Sequence, residues 1–357
     1  MNIFEEYKSK ILKIIKKAEK DKLLTLPKNL TGINVDTTPP KIDYDISTNV
    51  CMVLSKPNNK PPNDIAEIII DLIKKEDNLI EEISFAKPGF INIKFNKKYW
   101  NNFANKLINA SHNYGSSNKD KKKYLIEFVS ANPTGPIHVA HIRGAVIGDV
   151  LASILKATGH QVIREYYVND SGNQVDILGD SLFKRYQECN GIEIILNENE
   201  YPGEYLKDIA NLIFEDDKNQ WLNADEKSRK KYFKNYAIKK LIDTIKKDLQ
   251  SLNIIFDQYT YESKIIENKY IDKLFTILKE KNLLYDGFLE KPIGEENSDW
   301  SPRKQLLFKS SSFGDDKDRA LQKEDNSWTY FASDAAYHEN KLNRKFDVLI
   351  NILGADH

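Results

Sequence analysis

The chain has 357 residues, 40% of them apolar, which is enough for two or three domains with sizeable cores. Basic and acidic residues number 53 each, and this zero net charge argues against a generic polyanion binder but not against a local basic face. Two cysteines without a CxxC pair exclude a disulfide framework and a zinc finger. No secretory core or membrane-length run of roughly 20 apolar residues occurs, so we expect a soluble, cytoplasmic protein.

The first third of the chain predicts a small α+β domain, residues 1–117. Residues 83–95 alternate in polarity around Lys87-Pro-Gly-Phe, which indicates a β-hairpin. The polar run 115–122 is typical of a linker. Apolar residues at helical spacing predict four helices, over 2–20, 45–54, 63–74 and 97–111.

The stretch after the linker predicts strand, loop, helix and strand. A β-branched and aromatic run, 124–129, indicates the first strand, and prolines and glycines break it at 132–136. Apolar residues then recur at helical spacing over 142–155, and a second strand is predicted at 161–168. A polar loop follows at 169–174, and ligands of a βαβ unit lie beyond the carboxyl ends of the strands, at the helix N-terminus.

The remainder is charged and mostly helical in pattern over 176–324, with strands and loops near 306–318. Residues 228–252 predict an amphipathic helix rich in lysine, which is either a solvated face or a phosphate-contacting surface. The nearly all-apolar run 346–353 predicts a central parallel strand buried on both faces.

Two histidines, His138 and His141, lie at the predicted helix start. They could share a metal, but a third ligand of fitting spacing is absent, and they could also be ordinary surface or core histidines. The surrounding Pro/Gly loop favours a third interpretation, in which neutral imidazole N–H groups face phosphate oxygens. Neither GxxxxGK[ST] nor GxGxxG occurs, so the corresponding nucleotide-binding motifs are not supported.

Several blocks of the sequence resemble arginyl-tRNA synthetases, which are class I aminoacyl-tRNA synthetases. His138-Val-Ala-His141 stands where that family has its HIGH tetrapeptide, after Ser-Ala-Asn-Pro-Thr-Gly-Pro and before Arg-Gly. The resemblance continues through Tyr167-Val-Asn-Asp, Gly314-Asp-Asp-Lys-Asp-Arg and Trp328-Thr-Tyr-Phe-Ala-Ser-Asp to Gly354-Ala-Asp-His. In the first domain it rests on the blocks at 49–56 and 88–92.

The resemblance implies a fold and a domain division. We expect an α/β protein in which a small N-terminal α+β domain precedes a Rossmann-like parallel-sheet nucleotide-binding domain with a large, mostly helical insertion. The expected ranges are 1–117 for the N-terminal domain, 118–175 with 325–357 for the incomplete catalytic domain, and 176–324 for the insertion. The family's second signature loop and helical anticodon-binding domain are expected after these residues, so we expect weak or absent aminoacylation from this chain.

The resemblance also implies substrates and site residues. Such enzymes activate L-arginine with ATP and Mg²⁺, without a prosthetic group or protein-bound metal, and transfer it to tRNA(Arg); we expect a monomer. His138 and His141 are the implied catalytic residues, and the implied ATP-binding residues are His138, Ala140, His141 and Gly144. The implied arginine-binding residues are Glu127, Asn132, Tyr330, Asp334 and His357.

Two further implications concern the first domain and the HIGH-like tetrapeptide. Phe90 and Asn92 match the part of the family that meets the tRNA elbow, although a simple hairpin turn explains them equally well. Ala140 stands where the family usually has glycine, and its methyl group could crowd the adenine ring. Two alternatives stay open: a tRNA-binding or regulatory fragment without catalysis, and another HIGH-type synthetase or adenylyltransferase that lacks the acidic pocket.

Overall fold

The computed structural model of the protein describes residues 2–111, 114–116, 120–289, 304–323 and 327–354. It divides into two compact units, which we call unit 1 (residues 1–120 and 157–159) and unit 2 (residues 121–156 and 160–357). The further division of unit 2 into a catalytic part and an insertion stays a prediction.

Unit 1 combines helices with an antiparallel sheet whose strand order is β1-β2-β4-β3. Its elements in chain order are α1 (Ile3–Lys20), β1 (Val35–Thr37), β2 (Ile46–Thr48), α2 (Val50–Asn58), α3 (Pro62–Glu76), β3 (Ile80–Ala86), β4 (Phe90–Phe95) and α4 (Lys97–Ala110). The hairpin and the helices predicted at 2–20, 63–74 and 97–111 are confirmed.

The core of unit 1 follows from the apolar spacing of its helices. In α1, Tyr7, Ile11 and Ile15 recur at helical intervals and are fully buried. The helix predicted at 45–54 is wrong in its first part, because residues 46–48 form β2 and lie opposite 91–93 of β4. A three-residue strand is too short to show a period in the sequence.

Unit 2 contains a parallel sheet, helices around it and a small antiparallel sheet. Its elements are β5 (Lys123–Glu127), α5 (Val139–Ala157), β6 (Gln161–Val168), α6 (Asn173–Cys189), α7 (Tyr205–Asp217), α8 (Glu226–Ser251), β7 (Gln258–Tyr261), α9 (Glu262–Glu267), α10 (Tyr270–Glu280), β8 (Leu284–Phe288), β9 (Lys304–Phe308), β10 (Arg319–Gln322), α11 (Tyr330–Asn343) and β11 (Val348–Asn351). The βαβ unit and the helix predicted at 228–252 are confirmed.

The parallel sheet has the order β11-β5-β6-β7. The chain moves outward from β5 to β6 and β7, and then adds β11 on the other side of β5. The carboxyl ends of β5 and β11 therefore flank a switch point, where a sheet of this kind forms a crevice for ligands. Strand β7 comes from the range predicted as an insertion, although it pairs with β6.

The prediction that 346–353 forms a central strand buried on both faces is wrong. Among the described residues, β11 pairs only with β5 and is an edge strand, and Val348, Leu349 and Ile350 are only partly buried. Its apolar run has the composition of a buried strand, but composition does not report the number of neighbours.

The remaining elements of unit 2 pack into two further groups. Helices α6, α7 and α8 share a core, and helices α9, α10 and α11 pack together beside the antiparallel sheet β10-β9-β8. The strands and loops predicted near 306–318 are confirmed. No helix in the described ranges is long and apolar enough to cross a membrane.

Candidate active site

The exit of β5 has a strained backbone. Val129 and Ser130 have φ of 66° and 41°, the left-handed region that β-branched residues in particular avoid. The Ser130 hydroxyl donates to Glu127 Oε1 at 3.0 Å and accepts the Tyr167 N–H at 3.0 Å, so it ties this turn to β5 and β6. Strain of this kind persists only where its surroundings fix it, and it concentrates at functional sites.

Helix α11 is joined to the parallel sheet by two buried ion pairs. The Lys341 ammonium, 1% exposed, donates to Glu127 Oε2 and to Asn351 Oδ1, the latter at 2.9 Å. One turn later, Arg344 donates to both carboxylate oxygens of Glu165, which is fully buried. The Glu127 carboxylate at the switch point is therefore already paired with a cation of the chain itself.

A hydrogen-bond chain continues from Lys341 to Asp334. Because Asn351 Oδ1 accepts from Lys341, its Nδ2 is the donor to His338 Nε2 at 2.7 Å. His338 therefore carries its proton on Nδ1, which donates to the Asp334 carbonyl oxygen at 2.9 Å. The Asp334 carboxylate has a side-chain exposure of 62% and lies 3.6 Å from the same imidazole. Unlike Glu127, it remains accessible to a ligand.

The N-terminus of α6 brings the other predicted residues together. The Asn132 amide donates to Gln174 Oε1 at 3.0 Å, which places the loop after β5 against the first turn of α6. The Tyr330 hydroxyl lies beside Gly172, where an added Cβ would be 3.1 Å from it. Gly172 also has φ of 84°, so a side chain at this position would meet both strain and the tyrosine ring.

The loop after β6 carries a second acidic group, Asp170, which is hydrogen-bonded to α9. Asp170 accepts from the backbone N–H and the hydroxyl of Ser263 at 2.8 and 2.6 Å. The Asn169 amide donates to Glu262 Oε2 at 2.6 Å. Glu262 is 4% exposed, and burial raises the pKa of its carboxyl group, a rise that a hydrogen bond from Ser333 partly opposes.

Tyr167, near the carboxyl end of β6, marks the centre of this acidic region. Its ring stacks on Tyr337 with centroids 4.3 Å apart. Burial raises its pKa most, and four carboxylates raise it further, those of Glu262, Asp334, Glu127 and Asp170. Of these four carboxyl groups, that of Glu127 has the buried Lys341 as its partner.

The histidine pair stands at the start of α5. The His138 backbone N–H donates to His141 Nδ1 at 3.3 Å, and the two rings lie with centroids 3.8 Å apart and planes tilted by 33°. Burial, and secondly the neighbouring His138, lowers the pKa of His141. His141 is therefore a neutral imidazole near pH 7, and because its Nδ1 accepts, its Nε2–H is the free donor.

Helix α5 approaches β5 closely because of one glycine. A Cβ at Gly148 would come within 2.2 Å of Phe128 Cγ, and Phe128 is fully buried. The absence of a side chain thus lets the helix lie on the ring and sets the position of its first turn. Ala140, in that turn, is exposed, so its methyl group faces outward.

Comparison with known proteins identifies the family. A model of the arginyl-tRNA synthetase N-terminal domain matches residues 5–95, and a model of the class I tRNA synthetase (R) catalytic domain matches residues 103–356. The chain belongs to the arginyl-tRNA synthetase family. It is 54% identical over its full length to an arginine–tRNA ligase of Pelagibacter ubique and 44% identical over 88% of its length to one of Ehrlichia ruminantium.

Solved structures of arginyl-tRNA synthetases agree with this assignment. A Campylobacter jejuni structure, described as a putative arginyl-tRNA synthetase, is 32% identical over 74% of this chain, with a TM-score of 0.64; the match covers 54% of that chain. The Thermus thermophilus arginyl-tRNA synthetase, 18% identical over 94% of this chain and covered over 53% of its own, shares the fold with a TM-score of 0.56. The chain spans about 62% of the length of the Pelagibacter relative and 54% of the Ehrlichia one.

The residues that the family resemblance predicted as site residues differ in the contacts that they make. Tyr330 begins α11, as expected, so Tyr330 and Asp334 are one helical turn apart. Contacts link Asn132, Tyr330 and the loop after β6, whereas no contact among the described residues joins the histidine pair to the carboxylates. His357 lies outside the described residues.

In unit 1 the two predicted tRNA-binding residues differ in exposure. Asn92 is only 6% exposed, and its Oδ1 accepts from the Ser47 hydroxyl at 2.8 Å. Its amide is thus engaged inside the sheet rather than displayed at a turn, and the structure does not favour it as a contact for an RNA base. Phe90, the first residue of β4, is partly exposed and stays a prediction.

Sequence reasoning missed Lys341 and Glu262. Lys341 follows Asp334 by seven residues on the same helix, a spacing that places both on one face and could have drawn attention to it. For Glu262 the sequence offers no comparable signal, because its position depends on β7 joining the parallel sheet.

Proposed function

We propose that this chain carries the amino-acid activation site of an arginine–tRNA ligase. The exposed carboxylate of Asp334, one turn after Tyr330 on α11 and beside His338, supports this proposal most strongly, because a guanidinium group needs a planar, negatively charged partner. Asp334 supplies the accessible carboxylate and Tyr330 the adjacent wall, while Glu127, paired with Lys341, fixes α11 to the parallel sheet.

The reaction follows from the substrates. An oxygen of the arginine carboxylate attacks the α-phosphorus of ATP, which forms arginyl-adenylate and releases pyrophosphate. A hydroxyl of the terminal ribose of tRNA(Arg) then attacks the activated carbonyl carbon, which forms the ester and releases AMP. The protein forms no covalent intermediate, so its contribution is positioning and stabilisation of charge.

His138 and His141 are proposed to contact the ATP phosphates, with Mg²⁺ arriving as part of the nucleotide complex. The neutral state of His141 suits this role, since its Nε2–H can donate without holding the pyrophosphate as an ion pair. Ala140 and Gly144 are also proposed to bind ATP: Ala140 lies in the first turn of the same helix, where the backbone N–H groups and the helix dipole favour anions, and Gly144 lies one turn further along with no atom near its Cα on the side of a Cβ. Asn132 and His357 are proposed to contact the amino-acid α-groups, and translation places the protein in the cytoplasm.

Calorimetric titration tests the arginine site. Arginine and citrulline, its uncharged analogue, are each titrated in the presence of a non-hydrolysable ATP analogue. We expect the chain to prefer arginine, and Asp334→Asn to lose about 2–5 kcal/mol of arginine affinity while citrulline binding changes little. Asp272→Asn, an exposed aspartate of α10, is the matched control.

One outcome of this titration would contradict the proposed arginine site. If Asp334→Asn retains the preference for arginine over citrulline, the site is not an arginine site and the family's chemistry has to be sought elsewhere on the chain. ATP–pyrophosphate exchange with arginine, measured in the presence of tRNA(Arg), then reports whether this portion of the enzyme also performs activation.

A further inference from the structure

Asn351 ends β11 and its side chain joins two side chains of helix α11. Its Oδ1 accepts from the Lys341 ammonium at 2.9 Å, and its Nδ2 lies 2.7 Å from His338 Nε2. An ammonium group has only donors, so the amide oxygen has to face Lys341 and the NH2 group has to face the imidazole. The position of one buried cation therefore sets the direction of the hydrogen bond that reaches His338.

Lys341 is held in place from two further sides. Its ammonium, 1% exposed, pairs with the Glu127 carboxylate and lies 4.2 Å from the centroid of the Tyr337 ring. The amide of Asn351 cannot rotate by half a turn without setting its NH2 group against this ammonium. Because Glu127 balances the charge of Lys341, Asn351 passes on the direction of a hydrogen bond rather than a net charge.

The imidazole of His338 is thereby restricted to one protonation form. Its Nε2 accepts from Asn351, so the ring proton is on Nδ1, which donates to the Asp334 carbonyl oxygen at 2.9 Å. A second proton, on Nε2, would face the NH2 group of Asn351 and would meet no acceptor there. These contacts specify a neutral ring with a single N–H.

The charge of this ring determines how much negative charge Asp334 offers to a ligand. Nδ1 of His338 lies 3.6 Å from Asp334 Oδ1, so a cationic imidazole would be an ion-pair partner within the chain and would compete with an incoming guanidinium. A neutral imidazole that directs its N–H to the carbonyl oxygen does not neutralise the carboxylate. The Asp334 side chain is 62% exposed, so a ligand can approach it.

We propose that Asn351 and His338 are positioning residues of the arginine site. Asn351, oriented by Lys341, holds His338 as the neutral Nδ1–H form. This form keeps the full charge of the Asp334 carboxylate available to the guanidinium of the substrate. The inference rests on the proposed function, in which Asp334 receives that guanidinium, and both residues act through Asp334 without touching the substrate.

Nitrogen NMR of the unchanged chain tests the protonation form directly and needs no variant at residue 351. The protein has six histidines, so it is labelled with 15N-histidine, and the signals of His338 are identified by their loss in His338→Phe. Long-range 1H–15N correlations near neutral pH should show a protonated Nδ1 and an unprotonated Nε2 that accepts a hydrogen bond. A proton on Nε2 alone, protons on both nitrogens, or an average of the two neutral forms would each overturn the proposal.

Asn351→Asp reverses the polarity of the contact at nearly constant size. An aspartate accepts both from the Lys341 ammonium and from an Nε2–H, so it favours a ring that is protonated on both nitrogens. We expect both nitrogens of His338 to become protonated and arginine affinity, measured by calorimetry, to fall by about 10-fold, because a cation then faces the Asp334 carboxylate across a partly exposed site. Citrulline affinity should change little, because its side chain carries no charge.

Two comparisons show whether the effect passes through the imidazole. In a His338→Phe background, Asn351→Asp should cause no loss of arginine affinity, because no ring is present to take up a second proton. Asn219→Asp, which adds the same charge at an exposed position after α7, should leave the His338 signals and arginine affinity unchanged. An equal loss from Asn351→Asp with and without His338, or a doubly protonated ring without any loss, would refute the inference.

The titration of Asp334→Asn separates this inference from the function on which it rests. If that variant retains the preference for arginine over citrulline, the proposed function fails, whatever the protonation form of His338. If it loses the preference, while Asn351→Asp protonates the ring and still binds arginine as the unchanged chain does, the inference alone fails.

Discussion

Replacing Lys341 by methionine should destabilise unit 2 strongly. The Lys341 side chain is 1% exposed and that of Glu127 is 8% exposed, so the substitution leaves a carboxylate in a site that water does not reach freely. Asn351 also loses the N–H that its Oδ1 accepts. Breaking one partner of a buried ion pair typically costs about 3–5 kcal/mol, and the Ser130 hydroxyl, which still donates to Glu127, cannot replace a full charge.

Urea unfolding, followed by circular dichroism and by hydrogen exchange of the β5 and β11 amides, measures this cost. With a slope of about 3 kcal/mol per M, the midpoint of unit 2 should fall by about 1–2 M. The control is Lys264→Met, which breaks a fully exposed pair with Glu267 and should leave the midpoint nearly unchanged. The double variant Lys341→Met/Glu127→Gln should regain most of the loss, since no charge remains buried. If Lys341→Met is as stable as Lys264→Met, the pair is not the buried link that we describe.

Three further predictions concern stability. Gly148→Ala forces a methyl group onto Phe128 and should cost about 1–3 kcal/mol, whereas Gly144→Ala meets no atom within 4 Å and should stabilise α5 by up to about 1 kcal/mol, as thermal unfolding would show. Burial holds the pKa of Glu262 above its ordinary value, so its ionisation destabilises the fold as the pH rises; Glu262→Gln should raise the urea midpoint at pH 7 and lose that advantage below roughly pH 4. The pKa of His141 is lower in the folded protein than in the unfolded chain, so as the pH falls below roughly 6.5 the unfolded chain takes up this proton first and the free energy of unfolding declines. His141→Asn should lessen that decline, and equal pH profiles of the urea midpoint for the variant and the unchanged protein would contradict this.

Local patterns in the sequence predict most of the fold. The β-branched run at Gln161–Val168 gives the bounds of β6, and the helical spacing after Asn2 gives α1. The predictions that failed concern residues whose structure depends on neighbouring strands. Residues 46–48 become a strand because β4 is beside them, and the run 346–353 has only one neighbouring strand in the described chain.

The candidate site is less accessible to sequence reasoning than the fold. Resemblance to a family indicates Glu127 and Asp334 as equivalent acids, but only the structure shows that Lys341 pairs with the first and leaves the second exposed. The contact spans 214 residues of sequence, and no local pattern encodes it. Glu262 was missed for the same reason, because its partners come from two segments distant in sequence, 169–170 and 333–334.

The left-handed turn at Val129 and Ser130 has a consequence for engineering. Glycine at position 129 would adopt φ of 66° without steric cost, but the chain would lose the packing of the Val129 side chain against the core of the parallel sheet. The same change would allow the peptide to sample other conformations and would release the loop that carries Asn132 towards α6. Substitutions meant to raise the thermal stability of this protein should therefore leave residues 129 and 130 unchanged, because their strained conformation holds the loop that carries Asn132 against α6.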